Sequence, residues 1–292
     1  MYHTIKDVAR YYEFQVQKMN SYLLIYLHKV SHFMLKIENL SVRFNEHPVL
    51  DKLSLEAPNS SKNVIVGQNG SGKTTLMKCL VGSVMPDKGD MFYNGENLRS
   101  ASNYVKVSSN LPECYRLLPL NVKDMVFAYS ELKNFDRNIV FWHLNKFDLN
   151  RILDLKPWNL STGEQKILYS VMAIIRNDSL VILDEPFENI DFERKELLFS
   201  IFNVASSEII LSTHDSSMLE LMKGWRLFLL LSGRLIGPLD PTKFQRYYFN
   251  SSYRDESVIE WNAGNRDFSI SIDEGDVPLT NIEKVGSLAG AF

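Results

Sequence analysis

The chain has 292 residues, 45% hydrophobic and 23% charged, with a formal net charge of −3. That suits a globular protein of one large or two small domains whose core needs no disulfide support. The charge gives no general basic attraction to nucleic acid or anionic membrane, so no nucleic-acid partner is expected. No apolar run reaches the roughly 20 residues that span a bilayer, and the two cysteines, Cys79 and Cys114, fit a reducing compartment.

Residues 1–33 carry an apolar patch, Tyr22 to Leu27. Asp7 and Glu13 precede it and no small-residue cleavage site follows, which argues against a signal peptide. Two readings stand: an amphipathic helix that contacts a partner, or an upstream extension of a protein that starts at Met34. From Leu35 to Leu55 the spacing of Leu35, Ile37, Leu40, Val42 and Phe44 predicts antiparallel strands, with a turn at Asn45-Glu46-His47-Pro48.

Asn63-Val64-Ile65-Val66 reads as a strand, and Thr74 to Val81 as a helix. Between them Gly67 to Thr75 reads G-Q-N-G-S-G-K-T-T. This is the phosphate-loop pattern G-x-x-x-x-G-K-[ST] in its strand–loop–helix setting. Gly67, Gly70 and Gly72 allow backbone turns that a Cβ obstructs, and the freed N–H groups cradle phosphate oxygens at the helix N-terminus. Lys73 can reach the β- and γ-phosphates, and the Thr74 hydroxyl can ligate Mg²⁺.

Pro86-Asp87-Lys88-Gly89 is a turn and Asn94-Gly95 a hairpin signal. Val122 to Leu132 and Asp136 to Leu153 carry helical spacing. Leu160-Ser161-Thr162-Gly163-Glu164-Gln165 precedes another helical stretch. Leu180 to Leu183 is an aliphatic run, as in a strand buried on both faces, and ends in Asp184-Glu185-Pro186. Glu193 to Val204 predicts a helix, Leu211-Ser212-Thr213-His214-Asp215 a strand ending in His, and Leu227 to Leu231 a buried strand. Strands alternating with helices predict a mainly parallel sheet. From about Asn250 the chain is more polar, with alternation over Phe268 to Ile272, and reads as a small appendage or a partly ordered tail.

In order and spacing, the phosphate loop, Leu160–Gln165, Leu180–Pro186 and Leu211–Asp215 resemble the ATP-binding cassette (ABC) ATPase family, over roughly Met34 to Gly237. The last three match its signature motif, its Walker B strand with catalytic Glu, and its switch-histidine strand. The resemblance implies an α/β fold: a P-loop NTPase core with a mainly parallel sheet, an N-terminal antiparallel β subdomain, and a helical subdomain at about 111–175. It divides the chain into an extension (1–33), the ATPase domain (34–237) and a C-terminal appendage or tail (238–292).

The resemblance also assigns roles. Phe44 stacks on adenine. Gly67, Asn69, Gly70, Ser71, Gly72, Lys73, Thr74 and Thr75 hold the phosphates. Thr74 and Asp184 hold Mg²⁺, Glu185 is the general base for water, and His214 contacts the γ-phosphate. Ser161, Gly163 and Gln165 form the signature loop, which closes over the nucleotide of a second subunit, with Asp191 on the seam. The implied protein is an ATP-hydrolysing transporter subunit, paired with another cassette and with a separate transmembrane permease, peripheral on the cytoplasmic face. A soluble ABC-type switch or assembly factor, or a non-hydrolysing nucleotide-binding module, are the alternatives. Two departures stand out. Thr162 replaces a usual Gly, and no Gln occurs between Asn97 and Leu160. Asn110 is the nearest substitute for the family's Gln, which senses metal or water there.

Overall fold

The computed structural model describes residues 35–100, 106–115, 119–176, 180–263 and 266–289. Segment 1–33, with its apolar patch, and Met34 lie outside the described residues. In chain order the strands are β1 (Leu35–Phe44), β2 (His47–Ala57), β3 (Lys62–Val66), β4 (Lys88–Tyr93), β5 (Glu96–Asn97), β6 (Val107–Ser109), β7 (Leu180–Asp184), β8 (Glu208–Thr213), β9 (Arg226–Leu231), β10 (Arg234–Leu239), β11 (Tyr247–Asn250), β12 (Ser257–Ala263), β13 (Arg266–Ile272) and β14 (Val277–Pro278). The α-helices are α1 (Lys73–Leu80), α2 (Val122–Lys133), α3 (Arg137–Lys146), α4 (Thr162–Ile174), α5 (Phe192–Val204) and α6 (Ile282–Ala289).

Three sheets result. The first is antiparallel, in the order β2-β1-β4-β5. Leu35, Ile37, Leu40 and Val42 of β1 all point inward although their spacing is not strictly two. Asn39, at φ 50°, absorbs the extra residue where the register shifts. The second sheet runs β10-β9-β3-β8-β7-β6. Its pairs from β6 to β9 are parallel, and β10 returns antiparallel on β9.

The aliphatic runs explain this central sheet. Val181 and Leu183 of β7 belong to one core cluster, and Leu180 and Ile182 to the other. Val64 and Val66 of β3 likewise face the first core and Ile65 the second. Strands with both faces covered read as continuous apolar runs. One core holds α4 and the α2–α3 helices; the other holds α1 and the first antiparallel sheet. Among the described residues no helix is long and apolar enough to cross a membrane.

Helix starts follow their caps. Asn121 accepts from the Asp124 N–H at 2.8 Å to start α2, and Asp136 accepts from the Asn138 N–H at 2.9 Å to start α3. The helical spacing over 136–153 is only partly a helix. α3 stops at Lys146, Asp148 takes a left-handed φ of 56°, and a 3₁₀ turn follows at Asn150–Ile152. Phe147, Leu149 and Ile152 are buried all the same, so the apolar period reports burial there and not helix.

The third sheet, in the order β12-β13-β11-β14, lies beyond β10 and carries the alternation seen over Phe268–Ile272. Phe249, Trp261 and Phe268 form its aromatic cluster, with centroids 5.5 to 5.9 Å apart. α6 follows this sheet and meets the phosphate loop, Gly286 facing the end of the Gln68 side chain.

Candidate functional site

The phosphate loop leaves β3 and enters α1, and two glycines show why its sequence is so constrained. Gly72 caps α1 at φ 104°, a backbone state that side-chain-bearing residues rarely adopt. A Cβ at Gly67 would sit 2.6 Å from both the Leu230 carbonyl and the Ser71 Oγ. Lys73 folds back over the loop: its Nζ donates to the Gly67 carbonyl at 2.8 Å and the Gln68 carbonyl at 3.2 Å. It also lies 3.3 Å from Glu185 Oε1.

Below the loop, β7 delivers two carboxylates to opposite tasks. Asp184 is buried; its Oδ2 accepts from the Thr74 hydroxyl at 2.9 Å and its Oδ1 from the Ser212 hydroxyl at 2.5 Å. Thr74 and Asp184 together offer hard oxygen donors of the kind Mg²⁺ takes, alongside substrate phosphates and water. No cluster of three or more His, Cys, Asp or Glu side chains capable of holding a metal occurs among the described residues. The Thr74–Asp184 donor set fits a cation that arrives with a phosphate ligand.

Glu185 sits just past the strand at φ 47°, a left-handed state unusual for a glutamate. Its N–H donates to the Ser212 carbonyl at 3.1 Å, which fixes the turn. The carboxylate is thereby held between Lys73 and His214. Oε1 faces Lys73, while Oε2 lies 3.0 Å from His214 Nδ1 and accepts from the His214 N–H at 3.1 Å. Backbone strain of this kind persists only where neighbours over-determine it, and it concentrates at functional sites.

These groups line one pocket of about 330 Å³: Val49, Asn69, Gly70, Gly72, Lys73, Thr74, Thr75, Lys166, Asp184, Glu185, Glu188 and His214. Nine are residues that the sequence assigns to the site; Val49, Lys166 and Glu188 are not. Lys166, in the first turns of α4, donates to the Asp184 carbonyl at 2.8 Å and lies 3.9 Å from Glu188. Nothing in the local sequence marks it; only the packing of α4 against β7 brings it in.

Comparison with known proteins follows the same core. The sequence profile described as ABC transporter matches residues 50–188. The chain is 28% identical over 211 residues to the molybdate/tungstate import ATP-binding protein WtpC of Pyrococcus horikoshii, covering 70% of this chain and 61% of that one. It is 30% identical over 210 residues to an ABC transporter ATP-binding protein of Methanocaldococcus jannaschii, covering 69% of this chain and 76% of that one. The chain belongs to the ABC transporter ATP-binding family. A solved structure described as a cobalt transport ATP-binding protein, cbiO-2, superposes with a TM-score of 0.76 at 29% identity, covering 88% of this chain and 97% of that one. The expected ABC fold, with parallel core sheet, antiparallel β sheet and helical region, is the fold observed.

The other residues that the sequence assigns to the site do not line this pocket. Phe44, 48% exposed, stands at the β1–β2 turn, and Ser71 is buried under the loop. Ser161 caps α4. Glu164 completes a capping box, its Oε2 accepting from the Ser161 N–H at 2.8 Å and from the Ser161 hydroxyl at 2.9 Å. Burial pushes the Glu164 carboxyl up, but these bonds and the Arg151 guanidinium outweigh it and hold it below the usual carboxylate range. Gly163 backs onto the loop before α5: a Cβ there would lie 2.4 Å from the Asn189 carbonyl. Gln165 turns its amide back to the Leu160 carbonyl at 3.1 Å. Asp191 caps α5, accepting from the Arg194 N–H at 3.0 Å.

Asn110 does not take the place expected of it. Its side chain is buried and does not line the pocket. Oδ1 accepts from the Asp184 N–H at 2.8 Å, and Nδ2 donates to the Asp184 carbonyl at 3.2 Å and Ser170 Oγ at 3.3 Å. One methylene shorter than Gln, it clamps the backbone of β7 and bonds neither carboxylate oxygen of Asp184.

Proposed function

We propose that this chain hydrolyses Mg-ATP in this pocket as one half of a paired cassette, and so powers a separate membrane-spanning chain from the cytoplasmic face. The carrying observation is Glu185, held 3.3 Å from Lys73 Nζ and 3.0 Å from His214 Nδ1, in the same pocket as the Thr74–Asp184 pair. Thr74 and Asp184 would hold Mg²⁺, which when bound neutralises charge on the phosphates. Lys73 exchanges its loop carbonyls and Glu185 for phosphate oxygens. That frees Glu185 to accept the proton of a water as the water oxygen bonds to the γ-phosphorus and the bridging oxygen departs with ADP. His214, held by Glu185, keeps that carboxylate oriented and contacts the γ-phosphate.

Phe44 receives the adenine face, and the signature loop serves the other copy. Ser161, Gly163 and Asp191 do not line the pocket of their own chain, which supports a site completed in trans. Residues 34–237 form the ATPase domain, with its helical part at about 111–175, and 238–292 the appendage. The test is phosphate release with Mg²⁺ or with EDTA, beside Thr74→Val. Hydrolysis should require Mg²⁺, and Thr74→Val should need at least about tenfold more of it. Equal hydrolysis in EDTA would refute the metal assignment.

A further inference from the structure

The signature helix carries a charge that opposes its own task. An α-helix N-terminus attracts phosphate through its free N–H groups and dipole. In α4 those groups are met by Glu164, whose Oε2 is bonded to both the N–H and the hydroxyl of Ser161. The Ser161 hydroxyl has a single proton, and Glu164 holds it. A phosphate oxygen accepting from that hydroxyl would approach to about 2.7 Å. Because Ser161 Oγ lies 2.9 Å from Glu164 Oε2, the two anions would then be within about 6 Å. A like charge at that range weakens phosphate binding by roughly tenfold to hundredfold.

Arg151 answers this charge. It lies in the 3₁₀ turn at Asn150–Ile152, and its Nη2 donates to Oε1 of Glu164. Oε1 is the oxygen that Ser161 does not use, so both contacts hold at once. The Arg151 side chain is 68% exposed and that of Glu164 is 9% exposed. Such a half-exposed pair stabilises a fold little, and Arg151 makes no other ion pair among the described residues.

We propose that Arg151 is a positioning residue for the signature loop: it neutralises and holds Glu164, so that the Ser161 hydroxyl can turn its proton from Glu164 to the γ-phosphate of the nucleotide bound by a second copy, beside the α4 N-terminus. The proposal rests on the composite-site reading. Arg151 does not line the phosphate-loop pocket of its own chain.

The test uses the full chain in the Glu185→Gln background, which should bind ATP without turning it over. Dimerisation in ATP is followed by sedimentation, and nucleotide binding by the monomer with a fluorescent ATP analogue. Arg151→Ala should weaken the ATP-bound dimer tenfold to hundredfold with monomer affinity for the analogue unchanged. Arg151→Lys should keep most of the dimer. Glu164→Gln removes the charge, so adding it to Arg151→Ala should restore dimerisation to within about threefold of Glu164→Gln alone. An Arg151→Ala protein that dimerises like its parent overturns the proposal alone. So does a double variant as weak as Arg151→Ala. A parent that binds ATP and stays monomeric overturns the composite-site reading, and the proposal with it.

Discussion

Replacing Glu208 by Gln tests the core where its chemistry is most exposed to pH. Glu208 opens β8, is 3% exposed, and neither carboxylate oxygen has a hydrogen-bond partner of good geometry. Burial pushes its carboxyl up to about 8, against weaker opposing pulls from the Leu35 N–H and Arg226. The unfolded chain ionises near the ordinary carboxyl value of 4.5, while the fold keeps the proton to about 8. Glu208 therefore contributes stability that is whole below pH 4.5 and is lost as pH rises to about 8. The slope approaches about 1.4 kcal/mol per pH unit between those limits. From pH 5 to pH 8 the wild type should lose about 3 to 4 kcal/mol through this group alone. Glu208→Gln removes that loss and adds a burial cost of about 1 to 3 kcal/mol at every pH. Urea unfolding of both proteins at pH 5, 6, 7 and 8 isolates the effect, because all other titrating groups cancel in the difference. The variant should gain on the wild type steadily with pH. A difference constant to within about 1 kcal/mol across this range would refute the assignment of a buried neutral carboxyl.

Asn110→Ala should destabilise the fold by about 2 to 4 kcal/mol in urea melts, because it leaves the buried Asp184 N–H unpaired; a cost below about 1 kcal/mol would contradict the clamp. Gly163→Ala must push Asn189 aside to clear a 2.4 Å contact, so melts should show a loss of about 1 to 3 kcal/mol, and wild-type stability would argue against that close approach. Burial pushes the thiols of Cys79 and Cys114 up to about 12 and about 11. Both should resist iodoacetamide at pH 8 in the native protein and react in urea, as read by mass spectrometry; rapid native labelling of either would contradict its burial.

Much of this molecule is legible in its sequence because several constraints act locally. The phosphate loop needs glycines at fixed steps, and the apolar runs of β3 and β7 announce strands covered on both faces. What the sequence hides is set by tertiary contact. Lys166 enters the pocket because α4 packs on β7, and no local pattern marks it. Asn110 reads as a pocket amide until the structure shows it turned onto the Asp184 backbone. The apolar period over 136–153 cannot distinguish a helix from a helix, a left-handed Asp148 and a 3₁₀ turn that bury the same side chains. The left-handed Glu185 is invisible in a run such as Leu183-Asp184-Glu185-Pro186, since its bonds to Ser212 and His214, distant in sequence, help fix it.

The central claim is that Glu185 is the base in a site that two copies complete. Its most direct test is steady-state Mg-ATP hydrolysis of the wild type beside Glu185→Gln, with size measured in ATP. The account predicts that the wild type turns over, and that the variant binds ATP, stops hydrolysing and accumulates as a dimer. A variant that hydrolyses at the wild-type rate, or binds ATP and never dimerises, would contradict it.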